Sequence, residues 1–161
     1  IYSEVGVGTT VHVYLPRTKK SISEKIDRSH LLPGLPGGDE TILIVDDEND
    51  LLILADDMLK ILGYTTLTCQ NGNEAVNLLL SKGGIIDLLF TDVVMPGGMN
   101  GFELAEQALL LNPDLKILFT SGYAEKAVPK TGQYSFLPQI LFKPYTQLDL
   151  AIRIREVLDG Q

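Results

Sequence analysis

Sulfur is nearly absent as a cross-linking element from this 161-residue chain, which has one cysteine, Cys69. A lone thiol makes no intramolecular disulfide and no cysteine metal cluster. Cys69 lies in the strand-like run "YTTLTCQ" and reads as a small core residue of a protein from a reducing compartment. Long apolar runs are also missing: none approaches the ~20 residues of a membrane span. The start, "IYSEVGVGTT", lacks the basic end and apolar block of a signal peptide, and it lacks an initiator methionine. A piece of a longer protein is expected. Positive charge is scarce, with 13 Lys and Arg against 21 Asp and Glu and a net charge of −8. That balance excludes a sequence-independent nucleic-acid binder, which needs a basic face.

What is present is apolar material, 45% of the residues, enough for a real core. It falls into zones. In "TVHVYLP" Val11, Val13 and Leu15 alternate with His12 and Tyr14, a strand pattern too short to be a domain. The stretch "RTKKSISEKIDRSHLLPGLPGG", 17–38, is charged and then Pro/Gly-punctuated, and reads as a linker. His30 lies within it with no functional context.

From Asp39 to Gln161 the pattern becomes regular. "TILIVDD", "YTTLTCQ", "IDLLFTDVV", "LKILFTSG" and "QILFKPY" read as strands. "ENDLLILADDMLKILG", "NEAVNLLLSK", "GFELAEQALLLN" and "TQLDLAIRIREVLDG" read as helices. In the first helix Leu51, Ala55, Met58 and Leu62 share a face, with Leu52 and Leu59 beside them, and Gly63 supplies the stop. Asn112-Pro113 closes the third helix. Strands alternating with helices predict an α/β fold, a parallel doubly wound sheet covered on both faces. Ligands of such sheets bind at the carboxyl ends of the strands.

Those ends carry polar residues. The first strand ends in Asp46-Asp47, the third in Asp92, the fourth in Thr120-Ser121 and the fifth in Lys143-Pro144. Asp46 and Asp47 alone would pass for caps of the following helix. Gathered with Asp92, they repel one another, and a divalent cation removes the conflict. An all-oxygen site suits Mg²⁺. Lys143 adds an ammonium for a phosphate oxygen, and Thr120 a hydroxyl donor. The set describes a phosphoryl site with a carboxylate nucleophile.

The runs "ILIVDDE", "LLFTDVVMPGGMNG", "ILFTSG" and "LFKPY", in this order, resemble a response-regulator receiver domain over 39–161. The resemblance implies a flavodoxin-like five-stranded sheet in the order 2-1-3-4-5. It implies Asp92 as phosphoacceptor, and Asp46, Asp47, Asp92 and the backbone carbonyl of Val94 as Mg²⁺ ligands. Thr120 becomes the switch hydroxyl, Lys143 the partner of the phosphoryl group, and Lys143–Pro144 a cis bond. The first zone, "YSEVGVGTTVHVYLP", resembles the last glycine-rich turn and final strand of a histidine-kinase ATP-binding domain, with Gly6, Gly8 and Thr9 in that turn. A kinase remnant at 1–16, a linker at 17–38 and a receiver at 39–161 is the order of hybrid histidine kinases. Implied partners are a kinase phosphoacceptor domain or a histidine phosphotransfer protein. A bacterial cytoplasmic location follows, under a parent that is a membrane-anchored sensor. No ATP binding or kinase activity is expected from this chain.

Two features depart from that pattern. Many receivers carry an aromatic three residues before the lysine; here that position is Ile140, with Tyr134 and Phe136 as substitutes. "AEKAVPKTGQYSFLPQ" holds Pro129, Gly132 and Pro138, so the fourth helix of the receiver is expected to be irregular. Gly97, Gly98 and Gly101 read as a permissive loop. In the last helix Leu150, Ile154, Val157 and Leu158 form the core stripe, leaving Leu148 and Ile152 as an outward pair suited to a homodimer contact. Two other functions compete. One is a docking module that keeps the fold without phosphorylation. The other is an aspartyl hydrolase, which usually has a second acid two residues after its nucleophile; Val94 stands there.

Overall fold

The computed structural model describes residues 1–14, 34–96, 98–122 and 139–160. The chain divides into two compact units, Ile1–Leu31 and Leu32–Gln161, and the boundary falls inside the expected linker. Most of that linker, with His30, lies outside the described residues. So does most of the expected irregular helix, with Tyr134 and Phe136.

In the first unit β1 (Tyr2–Glu4) and β2 (Gly8–Thr10) form an antiparallel hairpin in which Tyr2 faces Thr10. Gly6 turns the chain at φ 82°, a left-handed conformation that glycine adopts without strain. The strand expected over Val11–Leu15 does not form across its described part: Val11 to Tyr14 lie outside any strand, with Val11 and Val13 exposed. Alternation specifies a strand only where a second layer covers the apolar face, and none of the described residues of this unit does so.

The second unit is the doubly wound sheet. Its strands are β3 (Thr41–Val45), β4 (Thr65–Cys69), β5 (Leu88–Asp92), β6 (Lys116–Ser121) and β7 (Ile140–Phe142). They are all parallel, in the order β4-β3-β5-β6-β7, as expected. Among the described residues four α-helices accompany them: α1 (Asn49–Ile61), α2 (Gly72–Lys82), α3 (Gly101–Leu111) and α4 (Gln147–Asp159).

Period-two alternation splits the core. Ile42, Ile44, Leu88 and Phe90 pack with Leu52, Leu59, Leu150 and Ile154 of α1 and α4. Leu43, Val45 and Leu89 pack with Ala75, Leu79, Leu104 and Ala108 of α2 and α3. The central strands are therefore apolar on both faces, which explains their unbroken hydrophobic runs. On α1 the deepest residues are Leu52, Ala55 and Leu59, while Leu51, Met58 and Leu62 are only half-buried. The expected face was turned by about a residue. "LLILADDMLKIL" holds enough apolar residues for two overlapping stripes that share Ala55, and tertiary packing chooses between them.

The ends of the helices are specified locally. Asn100 caps α3, accepting from the N–H groups of Phe102 and Glu103 at 2.9 and 3.0 Å, while Glu103 accepts from the Asn100 N–H. Thr146 and Asp149 repeat this box on α4. Leu150, Ile154 and Val157 of α4 are buried, whereas Leu148 and Ile152 face outward at 46% and 43% exposure.

The chain enters β3 through a tight passage. Gly38 donates its N–H to the Leu62 carbonyl at 3.2 Å. A Cβ on Gly37 would overlap that carbonyl, and one on Gly63 would come within 2.7 Å of the Gly38 carbonyl oxygen. Arg155 of α4 closes the passage through Glu40 at 2.5 Å, and is itself held by Asp159 one turn on along α4. Backbone atoms cannot rotate aside, so Gly37→Ala is expected to cost about 1–3 kcal/mol. Gly84→Ala, where a Cβ meets nothing within 4 Å, should stay within about 0.5 kcal/mol of wild type. Urea denaturation of both variants checks this; equal midpoints would show that the passage is slack.

Candidate functional site

The parallel register brings four strand ends to one edge. Val45 pairs with Thr91, Asp92 with Thr120, and Ser121 with Phe142. Asp46 and Asp47 follow β3 directly, Asp92 closes β5, Thr120 sits one residue from the end of β6, and Lys143 follows β7. Residues from four separate chain segments thus converge because their strands stop together.

Asp46 and Asp92 are buried, at 5% and 8% exposure, and Asp47 is half-buried. One carboxylate oxygen from each lies within 4.8 Å of the other two. Lys143 Nζ donates to Asp46 Oδ2 at 2.7 Å and stands 3.6 Å from Asp92 Oδ1. The other Asp46 oxygen accepts the Glu48 N–H at 3.0 Å, and the Asp46 N–H donates to the Cys69 carbonyl at 3.3 Å. Asp46 is thus fixed at three points. Glu48, not Asp46 or Asp47, is the N-cap residue of α1, and it makes no side-chain cap bond. The capping explanation for the acidic pair falls away.

Electrostatics at Asp92 show which effect dominates. Burial pushes its carboxyl up to about 6; Lys143 pulls it down, Asp46 and Asp47 push it up, and the Val93 backbone N–H favours the anion. Desolvation and like charge outweigh one ammonium at 3.6 Å. The Thr120 hydroxyl is buried and has no hydrogen-bond partner among the described residues. Three acidic oxygens within reach of one ion, excess negative charge and a waiting hydroxyl fit a hard divalent cation beside an anionic group.

The remaining expectations find their places. Lys143–Pro144 is cis. Val94 stands two residues past the end of β5 and is 45% exposed. Ile140 is half-buried against the cluster of Val93, Phe102, Ala105 and Phe119. Cys69 is buried, its thiol pushed up to about 11 by burial and then by Glu74, as an inert core residue should be. Two residues near the site were given no role from sequence. Tyr145 packs edge-on to Phe90 at 6.1 Å, its phenol pushed up to about 12 by burial and then by Asp46 and Asp92. Its position straight after Lys143-Pro144 was the only available clue. The other is Ser121, buried beside Thr120 at the end of β6.

A carboxyl that titrates higher in the folded than in the unfolded chain binds more protons when folded. Stability without metal should therefore fall as pH rises from about 4 to about 6. Asp92→Asn removes the charge and should raise stability by about 1–3 kcal/mol at neutral pH in a chelator. Urea melts at both pH values check this; a destabilised Asp92→Asn would contradict the charge assignment.

Known proteins place this geometry. A family model described as the response regulator receiver domain matches residues 42–155. The chain is 33% identical over 177 aligned residues to the sensor kinase CckA of Brucella abortus, across 99% of this chain and 17% of that protein. It is 35% identical over 117 residues to the response regulator receiver protein CpdR of the same species, across 73% of this chain and 95% of the other. Among solved structures, the receiver domain of the hybrid histidine kinase CckA superposes with a TM-score of 0.61 at 31% identity, covering 73% of this chain and 98% of that one. A receiver protein from Sinorhizobium medicae gives 0.64 at 28%, covering 76% and 96%. With its five-stranded parallel sheet and acidic edge, the chain belongs to the response regulator receiver domain family of two-component signalling.

Proposed function

We propose that Asp92 accepts a phosphoryl group from a phosphohistidine, with Mg²⁺ held by Asp46, Asp47, Asp92 and the Val94 carbonyl. The observation that carries this is the convergence of three carboxylates within 4.8 Å, with Lys143 between two of them. When bound, Mg²⁺ neutralises the carboxylates and the charge on the transferring phosphoryl oxygens. An Asp92 oxygen is the nucleophile. Its lone pair forms the new P–O bond as the P–N bond breaks, and the imidazole leaves with that electron pair. Lys143, tethered to Asp46, is within reach of a phosphoryl oxygen on Asp92. Thr120 offers it an O–H that has no other partner among the described residues. The exposed apolar side chain of Val94 provides nothing to activate water, so the aspartyl phosphate hydrolyses slowly.

The phosphodonor in this reading is a histidine-kinase phosphoacceptor domain or a histidine phosphotransfer protein. The alignment with a sensor kinase over 99% of the chain supports reading residues 1–16 as the end of a kinase ATP-binding domain and 17–38 as a linker. The location proposed is the cytoplasm, under a membrane-anchored parent. Among the described residues no helix is long and apolar enough to cross a membrane. The outward pair Leu148 and Ile152, with Phe142 exposed on β7, supports a homodimer contact. Leu148→Glu/Ile152→Glu should lower the mass seen in light scattering; an unchanged mass removes that contact.

Incubation with Mg²⁺ and acetyl phosphate, followed by intact-mass measurement, tests the central claim. One phosphoryl adduct is expected on wild type and none on Asp92→Asn. Adducts on both proteins, or on neither, would sink the Asp92 assignment, and their absence from both would favour a docking module that keeps the fold without the chemistry.

A further inference from the structure

Gly101 looks in sequence like one of several loop glycines, yet it is the first residue of α3 and lies outside the left-handed region. Conformational freedom is not what that position requires. Room is. A Cβ on Gly101 would overlap the Asp92 carbonyl oxygen and lie 3.0 Å from the Asp92 carbonyl carbon and 3.1 Å from the Val93 Cα. All three are backbone atoms of the strand end that carries the nucleophile.

Hydrogen bonds grip the same place. Gly101 donates its N–H to the Val93 carbonyl at 3.0 Å, and Val93 donates its own to the Thr120 carbonyl at 2.9 Å. The two sides of Val93 are thus tied to α3 and to β6. The helix behind them cannot easily recede. Asn100 and Glu103 box its first turn, Leu104, Ala105 and Ala108 are fully buried, and the Phe102 ring lies 4.7 Å from that of Phe119.

We infer that Gly101 is a positioning residue for Asp92: the start of α3 is a backstop that sets where β5 ends and where its carboxylate stands relative to Asp46 and Lys143. Asp46 is held from the other side by Lys143, the Glu48 N–H and the Cys69 carbonyl, so the distance between the two acids depends on both supports. Relieving the overlap with a methyl group needs a shift of roughly 1 Å, judged by ordinary C···O contacts. A displacement of that size costs about 10²-fold in reactions that depend on positioning. The inference rests on the phosphoacceptor role of Asp92.

The test compares Gly101→Ala with Leu79→Ala, a core truncation on α2, under conditions where both are folded by circular dichroism. Phosphorylation by acetyl phosphate is followed by intact mass at saturating Mg²⁺, and the Mg²⁺ Kd is measured by calorimetry. Gly101→Ala should lose about 10²-fold in maximal rate and bind Mg²⁺ more weakly, with half-saturation by acetyl phosphate unchanged. Leu79→Ala should keep wild-type rate and Kd. Wild-type behaviour of Gly101→Ala, or equal losses in both variants, overturns the inference. If Gly101→Ala does not fold, Phe102→Leu loosens the same helix without adding an atom near Asp92. It should slow phosphorylation severalfold, and an unchanged rate overturns the inference. A wild type that binds Mg²⁺ but gains no phosphoryl group overturns the proposed function alone, and the Mg²⁺ arm then decides whether Gly101 places Asp92. A wild type that does neither overturns both.

Discussion

Asp46, Asp47 and Asp92 present oxygens within 4.8 Å of one another, and two of the three residues are withdrawn from water. Left to themselves, such groups separate or take up protons. Here they cannot separate, because each is fixed to the end of a strand whose other residues are locked in the core. The rise of the Asp92 carboxyl to about 6 measures what the fold imposes. It corresponds to about 3 kcal/mol at most. Each fully buried Leu, Ile or Phe of β3 and β5 contributes about 1.5–3 kcal/mol, so a few such side chains hold the acids in place.

The partners that moderate this repulsion come from far along the chain. Lys143 reaches Asp46 from 97 positions away in sequence. Backbone groups do the finer work: the Glu48 N–H on Asp46, and the Val93 N–H between Asp92 and β6. The site is therefore a property of the sheet edge rather than of any one loop. The helices act on it indirectly, by fixing where strands begin and stop.

Much of this was legible from sequence, for a physical reason. Strands buried on both faces must be continuously apolar, so Asp46, Asp92 and Lys143 stand out as the residues where those runs break. Boundaries were close because caps are local: Asn100, Thr146 and Gly63 act within a few residues of themselves. What failed was non-local. The alternation of Val11 and Val13 carries no sign of whether a covering layer exists. The face of α1 was misplaced because its apolar residues exceed what one stripe needs. Gly101 was taken for a turn because a sequence does not distinguish a glycine that bends from one that makes room. Tyr145 went unnoticed because its neighbourhood with Phe90 and the two acids arises only in three dimensions.

The pairing of Asp92 with Thr120 has a consequence for how the domain assembles. Sliding β5 by one residue would exchange its two faces. Leu89 and Phe90 would trade helical layers, and Asp92 would turn toward an apolar wall instead of toward Lys143. Such an error loses packing and charge balance together. The alternation that fills the core thus also proofreads the acidic edge, and a chain that has packed correctly has already placed Asp92 beside Asp46 and Lys143.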